Sequence, residues 1–184
     1  MNARAARPST ARRRHAAQKG NTVEQSAKLA GFFAAHGIWC VSEGGPLVPM
    51  LAFERPDGER KMIRLVADQL EVGVERGRQW LAENPEGATR AVLVIDAYVN
   101  LPSGKTDALL IEAVRFTPDH CSFTMAVPYR NCENPAGFAV YRPKFVDASG
   151  FELDASQLAQ AFFLGVDAHE KGAEVWNSHI DESQ

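Results

Sequence analysis

The chain is predicted to fold as an α+β domain with a mainly antiparallel sheet of about five to seven strands and three helices. Three amphipathic stretches are each preceded by a helix-capping sequence. Between them lie short apolar runs separated by turns that contain Gly and Pro. Because such turns join antiparallel neighbours, we expect the element order α-βββ-α-ββββ-α, with the helices packed against the sheet.

The helices are predicted from one recurring signal, the capping box. In this motif a Ser, Thr or Asp side chain caps a free backbone amide, and a Glu or Gln three residues later reaches back. Such boxes begin at Thr22, Asp68 and Asp154. The spacing of apolar residues then predicts a first helix to about His36 and a second that ends before Pro85.

The third predicted helix is one continuous apolar stripe. It begins at Asp154, includes His169 and extends to Trp176. A metalloprotease motif would need a second histidine four residues after His169, but Ala173 stands there. We therefore interpret His169 as a core histidine.

Seven strands are predicted between the helices. They are Ile38–Ser42, Val48–Arg55, Glu59–Val66, Ala91–Val99, Thr106–Phe116, Ser122–Val127 and Phe138–Val146. A Pro-Asp-Gly turn joins the second and third of these and sets Glu54 opposite Arg60 as a cross-strand ion pair. Because proline cannot donate to a sheet, Pro128, Pro135 and Pro143 make the last two strands edge strands or irregular segments.

Two acids lie inside the otherwise apolar strands of the central hairpin. Its Pro-Ser-Gly sequence suits a three-residue loop that pairs Leu101 with Lys105. In that register Asp96 and Glu112 are diagonal neighbours on one face. A carboxylate is costly to bury without compensation, so the pair is a candidate general acid/base or cation site. A loop of two or four residues would place the acids on opposite faces.

Further residues are candidates for the same site, and some of them offer an alternative explanation for the two acids. Tyr98 would line it, and Arg130 or Arg142 would bind an anion. Alternatively, Arg130, Arg142 or Lys144 forms an ion pair with an acid across the sheet, or the acids face water. Asp107 is expected on the other face, away from the acidic pair.

Several common chemistries are not indicated. The sequence has no Walker motif, no GxGxxG, no nucleophile elbow and no zinc-ribbon spacing, which argues against ordinary nucleotide-dependent enzymes and serine hydrolases. No cofactor is predicted, and no residues are assigned as metal ligands. Cys40, Cys121 and Cys132 are odd in number and have no ligand-like spacing. Without a hydrophobic signal sequence, a reduced, cytoplasmic setting is expected.

Charge divides the chain into a basic tail and an acidic body. Of the 20 basic residues, six lie in residues 1–20, which contain no acid and no large apolar side chain beyond Met1. This segment is predicted to be a disordered tail, and residues 21–184 a single domain. The tail suits a nucleic-acid arm, an anionic-membrane arm or a transit peptide. Contact with the acidic body or an upstream start codon is the simpler explanation. No run is long enough to span a membrane.

Two functional hypotheses follow. The first is a non-enzymatic interaction protein, adaptor-like or chaperone-like, that binds another protein or forms a homodimer. Both faces of the central hairpin are apolar, and three helices leave little to cover them. The element order is similar to that of small bacterial secretion chaperones, without a shared motif. The second is a small enzyme or ligand-binding domain around Asp96 and Glu112. Nucleic-acid binding is not expected except through the tail, because the body is acidic.

Overall fold

A computed structural model describes residues 10–151 and 154–184, with side chains from Val23 onward. The elements are α1 (Thr10–Val41), β1 (Met50–Glu54), β2 (Arg60–Arg64), α2 (Leu70–Glu83), β3 (Arg90–Leu101), β4 (Gly104–Arg115), β5 (Cys121–Arg130), β6 (Ala139–Val140), β7 (Lys144–Ser149), α3 (Ala155–Asp167) and α4 (Glu170–Ser178). The predicted α+β class and antiparallel sheet are confirmed. The described residues form four helices, so the predicted count of three is wrong.

The sheet has seven strands in the order β2-β1-β3-β4-β5, with β6 and β7 both paired to the far side of β5. Helix α1 lies on one face, here called the α1 face, and α3 and α4 pack on α1. Helix α2 lies on the opposite face, the α2 face, over β1 and β3. Within the described residues, no helix has both the length and the apolar character needed to cross a bilayer.

The first helix differs most from prediction. It begins at Thr10 rather than near Thr22 and continues to Val41, through the run 38–42 predicted as a strand. Gly37, predicted to end the helix, lies inside it, against the side chains of Leu109 and Val94. A short apolar run fits a buried helix as well as a strand, and here contact with the sheet decides. Residues 10–20 of the predicted basic tail belong to α1. Residues 1–9 lie outside the described residues, and their disorder stays a prediction.

Helix caps explain two further differences. The N-cap of α2 is Gln69, which makes no side-chain capping bond, so the predicted cap at Asp68 is wrong. Asp154 does cap α3, because its carboxylate accepts from the amides of Ser156 and Gln157. The stripe that follows is broken after Asp167, and His169 caps a separate helix, α4.

Proline does not confine β5 to an edge. Pro128 lies opposite Ala108 of β4, and its carbonyl accepts from Tyr141 on the other side. Because N–H and C=O of one strand residue point the same way, the missing donor of Pro128 also faces that side. There the pairing passes from β7 to β6 and leaves a gap. The prediction of an edge or irregular strand is therefore wrong for β5 and holds for β6 and β7.

Close backbone contact holds α3 and α4 on α1. A Cβ at Gly31 would lie 1.8 Å from the carbonyl oxygen of Phe162, and one at Gly165 would lie 2.0 Å from that of Lys28. Likewise, a Cβ at Gly172 of α4 would lie 2.6 Å from the carbonyl oxygen of Ala35. The helices therefore approach one another at positions where any side chain would force them apart.

Replacing Gly31 by alanine tests this packing. Helix propensity alone would favour alanine by about 1 kcal/mol. The overlap with the Phe162 carbonyl should outweigh this gain and lower the free energy of unfolding by about 2 kcal/mol. Urea unfolding measures the change. Lys28→Ala, on the exposed side of the same helix, is the matched control and should change it little. Equal or greater stability of Gly31→Ala would contradict the close packing.

Candidate functional site

The turn between β3 and β4 decides which side chains share a face. Leu101 pairs with Gly104, so the loop has two residues, Pro102 and Ser103, instead of the predicted three. Gly104, at φ +116°, is the first residue of β4 and not the last residue of the loop. Asp96 therefore lies opposite Leu109. This shift by one residue reverses the face of every side chain in one strand relative to the other.

Asp96 and Glu112 consequently lie on opposite faces. Asp96 belongs to the row of β3 that includes Val94 on the α1 face. Glu112 belongs to the row of β4 that includes Leu110 on the α2 face. The prediction that the two acids are diagonal neighbours on one face is wrong, and a single site cannot contain both carboxylates.

Arg78 of α2 compensates Glu112. Its Nη2 lies 2.6 Å and its Nε 3.1 Å from Oε1 of the carboxylate, a forked ion pair between helix and sheet. The predicted ion-pair partner lies on a neighbouring strand, whereas the observed partner lies on α2. The forked geometry is sufficient to explain an acid at this position.

Asp96 is held by two donors on the α1 face. The hydroxyl of Tyr129 donates to Oδ1 at 2.9 Å, and the amide of Leu47 donates to Oδ2 at 3.3 Å. Tyr129 is buried, at 2% exposure. Burial and the nearby carboxylate raise the pKa of Tyr129, so its proton stays in the hydrogen bond. Asp96 thus anchors the end of β5 and the segment before β1 to the hairpin.

The observed register brings a different acid beside Asp96. Asp107 lies opposite Tyr98, which places it on the α1 face as a diagonal neighbour of Asp96. The prediction that Asp107 lies away from the site is therefore wrong. Burial and the charge of Asp96 raise the pKa of the Asp107 carboxyl, while Lys105 acts in the opposite direction. The acids that share a face are therefore Asp96 and Asp107.

A cleft of about 200 Å³ opens beside Asp107. It is lined by Lys105, Thr106, Asp107, Tyr129, Arg130, Asn131, Asn134 and Tyr141. Of the three predicted binding residues, only Arg130 lines it. The guanidinium of Arg130 donates to the carbonyls of Gly137 and Ala136 and lies 3.3 Å from Asp181. These contacts fasten the loop after β5 to the C-terminal segment, which is a structural role.

The other two predicted binding residues lie on the surface. Tyr98 is 62% exposed, with the ammonium of Lys105 3.8 Å from its ring centroid. Arg142 lies 3.4 Å from Glu182 near the C-terminus. In the part of the chain that the structure describes, no three His, Cys, Asp or Glu side chains are grouped so that they could hold a metal ion.

A second candidate site is apolar and lies at the outer edge of the sheet. Four large apolar side chains are exposed between β2 and the first turn of α2, and together they are called the β2–α2 surface: Ile63, Val66, Leu70 and Val72. Met62 is also exposed, but it lies opposite Ala52 on the α1 face. Val66 is 72% exposed. A depression of about 450 Å³ beside it is also lined by Val72 and Arg76. Exposed apolar side chains grouped in this way are typical of binding surfaces.

In the same region, one side of β2 carries backbone groups that bond to no strand among the described residues. The amide of Leu65 donates to Pro49 and that of Arg55 donates to Glu59, so the odd-numbered residues of β2 bond to β1. The N–H and C=O groups of Arg60, Met62 and Arg64 consequently face away from β1. Because β2 is the last strand in the sheet order, these groups form an open edge.

Comparison with protein-family models found no match, and searches among curated proteins and solved structures found none.

The two acids on the α1 face should respond oppositely to neutralisation. Asp96→Asn weakens the bonds from Tyr129 and Leu47 and should cost about 1–2 kcal/mol of unfolding free energy at pH 7. A raised carboxyl pKa means that ionisation of Asp107 opposes folding, and this opposition develops as pH rises through its ordinary value of 3.8. Asp107→Asn should therefore raise the melting temperature at pH 7. Destabilisation by both substitutions would contradict the arrangement.

Proposed function

We propose that this protein is a non-enzymatic interaction module that binds an extended segment of another protein along the open edge of β2. The observation that carries the proposal is the coincidence of unpaired backbone groups and exposed apolar side chains on one short stretch of chain. A partner strand would pair with the outward groups of Arg60, Met62 and Arg64. Its side chains would cover Ile63 and Val66.

Charge indicates the chemistry of the partner. Residues 60–64 contain three basic residues and no acid, on a chain whose formal net charge is −3. Arg60 pairs with Glu54 and Lys61 lies 3.8 Å from Glu59, whereas Arg64 has no acidic side chain within 4 Å among the described residues. We therefore expect the bound segment to alternate apolar and acidic residues, which would place carboxylates near the basic side chains of β2.

A second copy of the chain is the alternative occupant, because a homodimer would also cover the apolar surface. In antiparallel pairing centred on Met62, Arg60 of one copy would lie opposite Arg64 of the other. Like charges directly opposite each other destabilise a strand pair. This repulsion favours a different protein as partner over self-association.

Substitution of Met62 separates strand pairing from simple apolar contact. The probe is a peptide of about twelve residues, selected from a phage-displayed random library on the full chain. Met62→Pro removes an outward N–H without removing a bond to β1 and should weaken peptide binding about tenfold. Met62→Val keeps the N–H and is the matched control. The melting temperatures of both variants report whether β2 remains in place.

The outcomes distinguish the alternatives. One outcome is that the peptide binds Met62→Pro as tightly as the wild type but does not bind Val66→Asp. This outcome would exclude strand addition and indicate that the peptide binds through apolar contact alone. If neither substitution changes the affinity of the selected peptides, the proposal that the β2–α2 surface binds them is wrong. Sedimentation at about 10 and 100 µM reports self-association. A dimer that Met62→Pro dissociates would identify the second copy as the occupant.

A further inference from the structure

Two histidines connect α4 to α1. Nδ1 of His36, on α1, lies 2.9 Å from Nε2 of His169, the N-cap of α4. Nδ1 of His169 accepts from the amide of Gly172 at 3.0 Å. Both rings are half-buried, and Phe32 packs on His169 with ring centroids 4.7 Å apart. The pair lies outside the cleft and the β2–α2 surface.

The hydrogen bonds determine where the protons are. Because Nδ1 of His169 accepts from an amide, its proton is on Nε2, and this N–H donates to Nδ1 of His36. The proton of His36 is then on Nε2. A second proton on His36 would point at the N–H of His169. A second proton on His169 would point at the N–H of Gly172. Neither ring can become charged while the chain of bonds from Gly172 to His36 is intact.

The N-terminal end of α4 depends on this pair. At that end the backbone of Gly172 lies directly on the Ala35 carbonyl, so α4 is fastened to α1 by close packing and by the histidines. Further along, Trp176 is buried at 2% exposure, and Ile180 bridges to Val140 of β6. Loss of the histidine bond would thus release the start of α4 while its far end stays attached.

Burial and two neighbouring groups oppose protonation of His36. Burial lowers the pKa of His36 most, and His169 and Arg64 of β2 lower it further. Cys40 lies one turn further on α1. Helix α4 contributes Glu170, which is exposed, and Lys171, whose ammonium lies 5.0 Å from the Trp39 ring centroid.

Two more charged or titratable groups lie on the adjoining ends of α3 and α4. Asp167 of α3 is exposed. His179, at the far end of α4, donates from Nδ1 to the Val175 carbonyl at 2.8 Å. A charge on His179 favours the C-terminus of a helix and so would not open α4.

We propose that His36 and His169 form a pH-sensitive latch that holds the start of α4 on α1 when both rings are neutral and opens in acid. This inference is independent of the proposed function. A histidine whose folded pKa is lowered makes its stabilising contribution above the ordinary value of 6.5. That contribution is lost as pH falls through 6.5 toward the lower folded value.

Hydrogen exchange of the full chain tests the latch. The reporters are the amides of Gly172 and Ala173, which bond to the Nδ1 and carbonyl oxygen of His169. After correction for intrinsic exchange, their opening constant in the wild type should rise about tenfold between pH 7.5 and 5.5, because the bond from His169 excludes protonation of His36. His169→Asn keeps a capping acceptor but cannot titrate, so its opening constant should change far less. His179→Gln is the matched control and should behave as the wild type does.

Two results would overturn the proposal. One is a wild-type opening constant that does not change with pH, or changes equally in His169→Asn. The other comes from the imidazole ¹⁵N shifts of the wild type at pH 7.5, which need no variant that could fail to fold. They should show the proton of His169 on Nε2. A proton on Nδ1, or a charged ring, would contradict the bonding pattern on which the latch depends.

Discussion

The two-residue turn at Pro102–Ser103 sets the register of β3 against β4, and the arrangement of both faces of the sheet follows from it. With Leu101 paired to Gly104, alternate side chains of the hairpin reach α1 on one face and α2 on the other. A slip of one residue would move Glu112 from its ion pair with Arg78 into the core against α1. It would also separate Asp107 from Asp96.

The structure compensates its polar groups in the central hairpin one at a time, with a different element for each. Glu112 forms an ion pair with Arg78 of α2. Asp96 instead accepts hydrogen bonds from the Tyr129 hydroxyl of β5 and from the backbone before β1. The charge of Asp107 is only partly compensated, and the pKa of its carboxyl is therefore raised. Such individual compensation explains acids inside an apolar hairpin without a shared catalytic site. It leaves the open edge of β2 as the feature that internal packing does not explain.

The sequence predicts a register well where two local signals agree. At the β1–β2 hairpin, the Pro-Asp-Gly turn and the pairing of Glu54 with Arg60 indicate the same alignment, and the structure confirms it. At the β3–β4 hairpin, Pro-Ser-Gly is compatible with loops of two or three residues. Both faces of that hairpin are apolar, so a slip by one residue leaves the hydrophobic pattern nearly unchanged. Choosing between the registers requires the partners from α2 and β5, which lie far away in sequence.

The helix boundaries are likewise predictable only where a local signal marks them. The cap at Asp154 is predictable because its side chain acts within three residues. The break before α4 is not predictable, because histidine is an unusual N-cap and the apolar spacing continues across it. The cleft was missed for a different reason. Asp107 and Tyr129 come from separate strands, and their proximity follows only from the register.

Cross-strand NOEs in the β3–β4 hairpin test the register most directly. In antiparallel strands, residues of a non-hydrogen-bonded pair bring their Hα atoms close together. The bond from the Phe116 amide to the Thr89 carbonyl identifies the even-numbered residues of β3 as members of such pairs. In the register with a two-residue loop we expect strong Hα–Hα NOEs between Asp96 and Leu109 and between Tyr98 and Asp107. NOEs that instead join Asp96 to Leu110 would indicate the three-residue loop and contradict this register.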